Sequence, residues 1–131
     1  MHPPTPASLS KVTPHRALAL RIQAPPTEPG CATALRFLEA ALAQHRTISL
    51  IFFNGQGVRI ADEAASDDHR ALKARWIELS SHQALPLVLC AGSAHAHGLH
   101  ANHLDPPFVL GSLTQLLDAY STNDQVVAFQ P

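Results

Sequence analysis

Apolar and polar positions alternate along this chain in a way that predicts strands and helices in turn. The run Ala17-Leu18-Ala19-Leu20-Arg21-Ile22 is short and apolar and stops at Pro25-Pro26, the signature of a buried strand. From Thr33 to His45, Ala34, Leu38, Ala41 and Leu42 recur at helical spacing. Thr47 to Phe53 is β-branched and aromatic, is bounded by Asn54-Gly55, and predicts the clearest strand. A second helix is expected from Asp67 to His82, with Asp67 and Asp68 in the first turn, where the helix dipole favours negative charge. Its inner stripe is Leu72, Trp76 and Leu79. Pro86 to Cys90 and Phe108 to Leu110 predict two further strands. Leu113, Leu116, Leu117 and Tyr120 predict the inward stripe of a last helix, and Gln125 to Phe129 a final strand.

Apolar strands separated by amphipathic helices define an α/β fold, a parallel sheet with helices on both faces and right-handed crossovers. The length of 131 residues suits a single domain. Residues Met1 to Pro14 contain four prolines and few apolar side chains, so a flexible tail is expected there, with the folded domain over 15–131. The sequence shows no internal repeat.

Composition narrows the function. Charged residues make up only 15 % of the chain, against about a quarter in typical domains. Interface cores are depleted of charge, so the chain reads either as an oligomer or as a domain with an uncharged polar surface. The net charge is −1 and no basic face is present, which argues against direct nucleic-acid binding. Two cysteines do not make a disulfide scaffold and fit a reducing compartment. No secretory pattern and no membrane-spanning apolar run are visible, so a cytoplasmic protein is expected.

In parallel sheets, chemistry gathers outside the carboxyl ends of the strands. That rule selects Cys90, the last residue of an apolar strand, followed by Ala91-Gly92-Ser93-Ala94. The start of a helix there offers free N–H groups and a dipole that favour a thiolate. A thiolate is the nucleophile that attacks sulfane sulfur. The alternative is a buried cysteine acting as a small hydrophobe. Cys31, after Pro29-Gly30, reads either as a resolving thiol or as a helix-start residue with no role. His95, His97, His100 and His103 read either as zinc or nickel ligands or as a solvated, partly cationic rim near Cys90. Asn54-Gly55-Gln56-Gly57 lacks the Lys and Ser/Thr of a phosphate cradle and reads as a turn bordering the site. Asp62-Glu63 and Asp67-Asp68 read as solvated carboxylates.

Four stretches resemble the DsrE/TusD sulfur-carrier family, its TusD-like branch most closely. They are Ser49 to Phe53 with Gly57-Val58; Ala74-Arg75-Trp76 through Leu79 with His82; Leu87 to Ala91; and Phe108 to Leu113 followed by Asp124 to Phe129. The resemblance implies a three-layer α/β/α domain with five parallel strands. It further implies that Cys90 accepts a sulfane sulfur as a persulfide from a donor carrier and passes it to an acceptor carrier, with no cofactor and no metal. Relatives work with sister subunits of the same fold, in tRNA 2-thiolation or in dissimilatory sulfur oxidation. The chain departs from the family in the loop from Pro25 to Cys31, in histidines where basic residues are usual, in a short stretch from Gly98 to Pro107, and in its proline-rich start. A non-catalytic scaffold subunit and a His-rich metal-binding module are the rival expectations.

Overall fold

A computed structural model describes residues 16–122 and 124–131. The expected tail over 1–14 lies outside the described residues. Five strands, β1 (Leu18–Ile22), β2 (Ile48–Phe53), β3 (Leu87–Cys90), β4 (Phe108–Gly111) and β5 (Gln125–Phe129), form one parallel sheet in the order β4-β3-β2-β1-β5. Helices α1 (Pro29–Ala43), α2 (Asp67–Gln83), α3 (Ala91–Ala96) and α4 (Leu113–Ser121) connect them, with 3-10 turns at Gly55–Ala61 and Ala101–His103.

Local chemistry sets the boundaries. Helix α1 begins at Pro29, four residues before the expected Thr33, because proline at the first helical position costs no hydrogen bond. It ends at Ala43 rather than His45, since His45 takes a left-handed conformation at φ 60°. Helix α2 starts at Ser66, whose hydroxyl accepts the His69 N–H at 3.1 Å, and stops where Ala84 turns left-handed. Helix α4 opens with a capping box between Ser112 and Gln115.

Side chains alternate across the sheet, which separates two apolar layers. Leu18, Leu20, Ile22, Ile51, Phe53, Leu87, Leu89 and Phe108 face α1, α2 and α3. On this side Trp76 is fully buried, edge-on to Phe53 with ring centroids 5.2 Å apart. Ala19, Leu50, Phe52, Val88 and Cys90 face the other way, beneath Leu116 and Ala119 of α4. The pairing register shifts between Leu18 and Ala19, opposite Ile48 and Leu50, so Ile48 and Leu50 fall in different layers despite their spacing of two.

Among the described residues, the second face is thus covered by a single helix. The expected inward stripe of α4 is corrected accordingly: Leu116 is buried, whereas Leu113, Leu117 and Tyr120 point outward. Ala119 takes the inner position instead, because a small residue lets the helix lie close on Ala19 and Leu50.

Candidate functional site

Cys90 ends β3 at the carboxyl edge of the sheet and is also the N-cap of α3, with extended backbone at φ −60° and ψ 120°. Its side chain joins the layer under α4 and retains 7 % exposure. Ala91 and Gly92 beside it are exposed, and no atom stands within 4 Å of where a Gly92 Cβ would be. The sulfur makes no capping bond to the first turn of α3. That helix packs through Ala94 on the opposite layer, so the thiol and the body of the helix lie on different sides of the sheet. The expected juxtaposition of Cys90 with a helix start is present in the backbone, but without a direct bond to the sulfur.

The turn after β2 frames one side of this edge. Gly55, at φ +56°, donates its N–H to Ser93 Oγ at 2.9 Å, which ties the turn after β2 to the helix after Cys90. Asn54 Oδ1 accepts from Arg21 Nε at 3.3 Å, and Asn54 N–H reaches Ile22 O at 3.1 Å. Gly57 packs so tightly on the end of β1 that an added Cβ would stand 2.9 Å from the Ile22 carbonyl carbon. The Asn54–Gly57 loop therefore borders the site, as its sequence suggests.

On the other side of Cys90, its register partner in β4 is Gly111. The carboxamide of Gln115 fills the space a side chain at 111 would take, with its Cδ 3.1 Å from that position. Gln115 Oε1 accepts the Ser112 N–H at 3.2 Å. Sequence reading passed over both Ser93 and Gln115. The Ser-x-x-Gln spacing of a capping box marked Gln115, but nothing local placed it beside a residue of another strand.

Cys31 lies in the first turn of α1, fully buried in the layer under α1 and α2. Burial pushes its thiol up from 9.0 to about 11; the Trp76 indole N–H, on the sulfur's side, offsets part of this. That N–H finds no partner of regular hydrogen-bond geometry, so the contact is loose. The whole sheet separates Cys31 from Cys90, which removes the resolving-thiol reading.

The histidines form a row rather than a cage. The ring centroids of His95 and His100 are 6.3 Å apart, and those of His100 and His103 are 6.1 Å apart. His95, His100 and His103 are exposed and His97 half-buried. Among the described residues, no three His, Cys, Asp or Glu side chains converge in a way that holds a metal ion. A concavity of about 340 Å³ between α1 and α2, lined by Glu39, Leu42, Arg75, Leu79 and His82, excludes Cys90. Its polar wall is bridged by the Arg75–Glu39 ion pair at 2.9 Å. Sulfur exchange between proteins needs a reachable sulfur rather than an enclosed pocket, so this groove does not displace Cys90 as the candidate. Among the described residues, no helix is long and apolar enough to cross a membrane.

The fold and the edge cysteine define a class: a single-domain α/β protein with a cysteine, 7 % exposed, at the carboxyl end of an inner parallel strand. The chain belongs to the DsrE/DsrF-like family, whose model matches residues 15–129. It is 33 % identical over 124 residues to a sulfurtransferase TusD homolog of Pseudomonas aeruginosa, covering 85 % of this chain and 95 % of that one. It is 32 % identical over 111 residues to the sulfurtransferase TusD of Cronobacter sakazakii, covering 74 % and 86 %. A DsrE protein of Allochromatium vinosum is 29 % identical over 110 residues, covering 74 % and 85 %. The ychN protein of E. coli shares the fold with a TM-score of 0.68 at 18 % identity, covering 88 % of this chain and 100 % of that one.

Proposed function

We propose that this chain is a cytoplasmic sulfur-relay protein that accepts sulfane sulfur as a persulfide on Cys90 and hands it to an acceptor carrier. The observation that carries the reading is the position of Cys90. It closes β3 at the sheet's carboxyl edge, keeps a 7 % opening, and is followed by two exposed small residues, in a chain whose relatives are named sulfurtransferases. The Cys90 thiolate attacks the outer sulfur of a donor persulfide, R–S–SH. The donor S–S bond breaks, a new S–S bond forms on Cys90, and R–S⁻ leaves with the bonding pair. The acceptor's thiolate then attacks the outer sulfur on Cys90, and the Cys90 thiolate is released. Neither step consumes an oxidant, a reductant or a cofactor. The pathway served is either tRNA 2-thiolation or sulfur oxidation.

The partners proposed are donor and acceptor carriers and same-fold subunits in a homo- or hetero-oligomer. The thinly covered face supports this. Val109 of the edge strand and Leu113, Leu117 and Tyr120 of α4 stand exposed on this side of the sheet. Contiguous apolar exposure of this kind marks interaction surfaces.

Intact-protein mass spectrometry after brief exposure to polysulfide tests the carrier role. Wild type and Cys31→Ser gain sulfur, and Cys90→Ser, still folded, does not. Retained loading on Cys90→Ser sinks the reading. Folded wild type that never loads turns the choice to the scaffold subunit.

A further inference from the structure

A side chain of α4 occupies the space beside the β4 position that pairs with Cys90. Gly111 pairs with Cys90 across β3 and β4, so the two residues direct their Cβ positions to the same face. The glycine leaves a gap there. The gap is filled by the Gln115 carboxamide: a Cβ at 111 would collide with Gln115 Oε1 and stand 2.5 Å from Val88 Cγ1. Val88 is two residues before Cys90 on that face, so the amide lies in the row of side chains that ends in the sulfur.

The orientation of the amide is fixed by its partner. Ser112 offers an N–H, which requires an acceptor, and Gln115 Oε1 supplies it at 3.2 Å. The amide's NH₂ is left as a donor, and among the described residues no acceptor takes it up. No hydrogen bond joins it to the Cys90 thiol. A persulfide places its outer sulfur about 2.05 Å further out, one S–S bond beyond Sγ.

We propose that the Gln115 NH₂ receives the outer sulfur of the Cys90 persulfide and stabilises its negative charge. This rests on the reading of Cys90 as the sulfur carrier. A hydrogen bond to an ionised acceptor is stronger than one between neutral groups, so the contact forms chiefly when the sulfur is loaded and ionised. Gly111 and the capping box are the two features that hold the donor in place: the first makes room, and the second fixes which end of the amide faces the helix start.

Two variants of the full chain separate this role from helix capping. Gln115→Ala removes both the acceptor and the donor. Gln115→Glu keeps an oxygen for Ser112 N–H, as in the usual capping box, and puts a carboxylate where the donor was. Each is exposed to polysulfide, followed by intact-mass time courses with peptide mapping of Cys90, and paired with a thermal unfolding midpoint. The expected result is several-fold slower loading in Gln115→Ala. In Gln115→Glu, loading is slower still, because a carboxylate replaces the donor and repels the sulfur anion. Its pH–rate profile moves to higher pH while its unfolding midpoint stays at the wild-type value. Wild-type loading in Gln115→Glu overturns the assignment and leaves Gln115 as a helix cap. Absence of any adduct on wild-type Cys90 overturns the carrier reading, and the assignment with it.

Discussion

Replacing Gly57 by alanine tests whether the loop beside Cys90 is held by close packing. Gly57 lies in the 3-10 turn after β2 and presses on the end of β1. An added Cβ would stand 2.9 Å from Ile22 C and 3.3 Å from Gln23 Cα, and closer still to Ile22 O. All three atoms are backbone, so no rotamer change relieves the contact. Ile22 O also accepts the Asn54 N–H at 3.1 Å, and moving either strand end stretches that bond. Overpacking of a tight interior costs about 1–3 kcal/mol, and the weakened hydrogen bond adds about 1 kcal/mol. The expected loss is about 3 kcal/mol, a large share of the roughly 5–15 kcal/mol that holds a domain together. At a urea slope near 2 kcal/mol/M the unfolding midpoint falls by roughly 1.5 M. Gly92→Ala is the matched control, since nothing stands within 4 Å of its Cβ and it lies in α3. Alanine there raises stability by about 0.5 kcal/mol through helix propensity. A Gly57→Ala midpoint within 0.5 M of wild type would show that the β1 end and the loop yield freely, and would refute the packing argument.

Two further predictions concern the surface and the buried thiol. Leu117→Asp changes a side chain that is 63 % exposed, so urea stability moves by less than about 1 kcal/mol; under the proposed oligomer, sedimentation velocity shows a smaller species for Leu117→Asp than for wild type, and identical sedimentation of the two would remove α4 from the interface. Cys31 is protonated in the native state up to about pH 11, whereas the unfolded thiol ionises near 9.0. Its contribution is therefore complete below pH 9 and lost as pH rises from 9 toward 11, because the unfolded state sheds the proton first. Wild type should lose about 2–3 kcal/mol more than Cys31→Ala across that interval, and parallel pH–stability curves for the two would contradict the burial of the thiol.

Most of the fold was legible because each strand is bounded by its own chemistry. The apolar runs at 17–22, 47–53, 86–90, 108–110 and 125–129 marked the five strands along the chain, and alternation with helices required them to be parallel. The errors have a common origin. Periodicity locates a helix but not the amount of sheet available to cover it. The stripe Leu113, Leu117 and Tyr120 reads as an inner face, yet among the described residues one helix on a five-stranded face leaves its far side uncovered. The place of Cys90 at the end of β3 was legible because a strand end is a local property. Gln115 was not, since its place beside Cys90 arises from the β3–β4 register and from the missing side chain at Gly111. The same limit applied to Cys31, whose position at a helix start says nothing about which side of the sheet that helix occupies.

The two thiols of the domain lie on opposite sides of the sheet, which keeps them apart chemically. A disulfide requires Cα atoms within about 7 Å and converging Cβ directions. Cys31 is carried by α1 above one face, and Cys90 directs its sulfur into the layer beneath the other. The backbone hydrogen bonds of β1, β2 and β3 stand between them, so the pair cannot close without unfolding. A persulfide on Cys90 therefore has no internal thiol to attack it. Cys31 is further disarmed by burial, which holds it protonated at neutral pH and so non-nucleophilic. Under the proposed function, both facts protect the cargo: sulfur on Cys90 persists until a thiol from another protein reaches it at the carboxyl edge of the sheet.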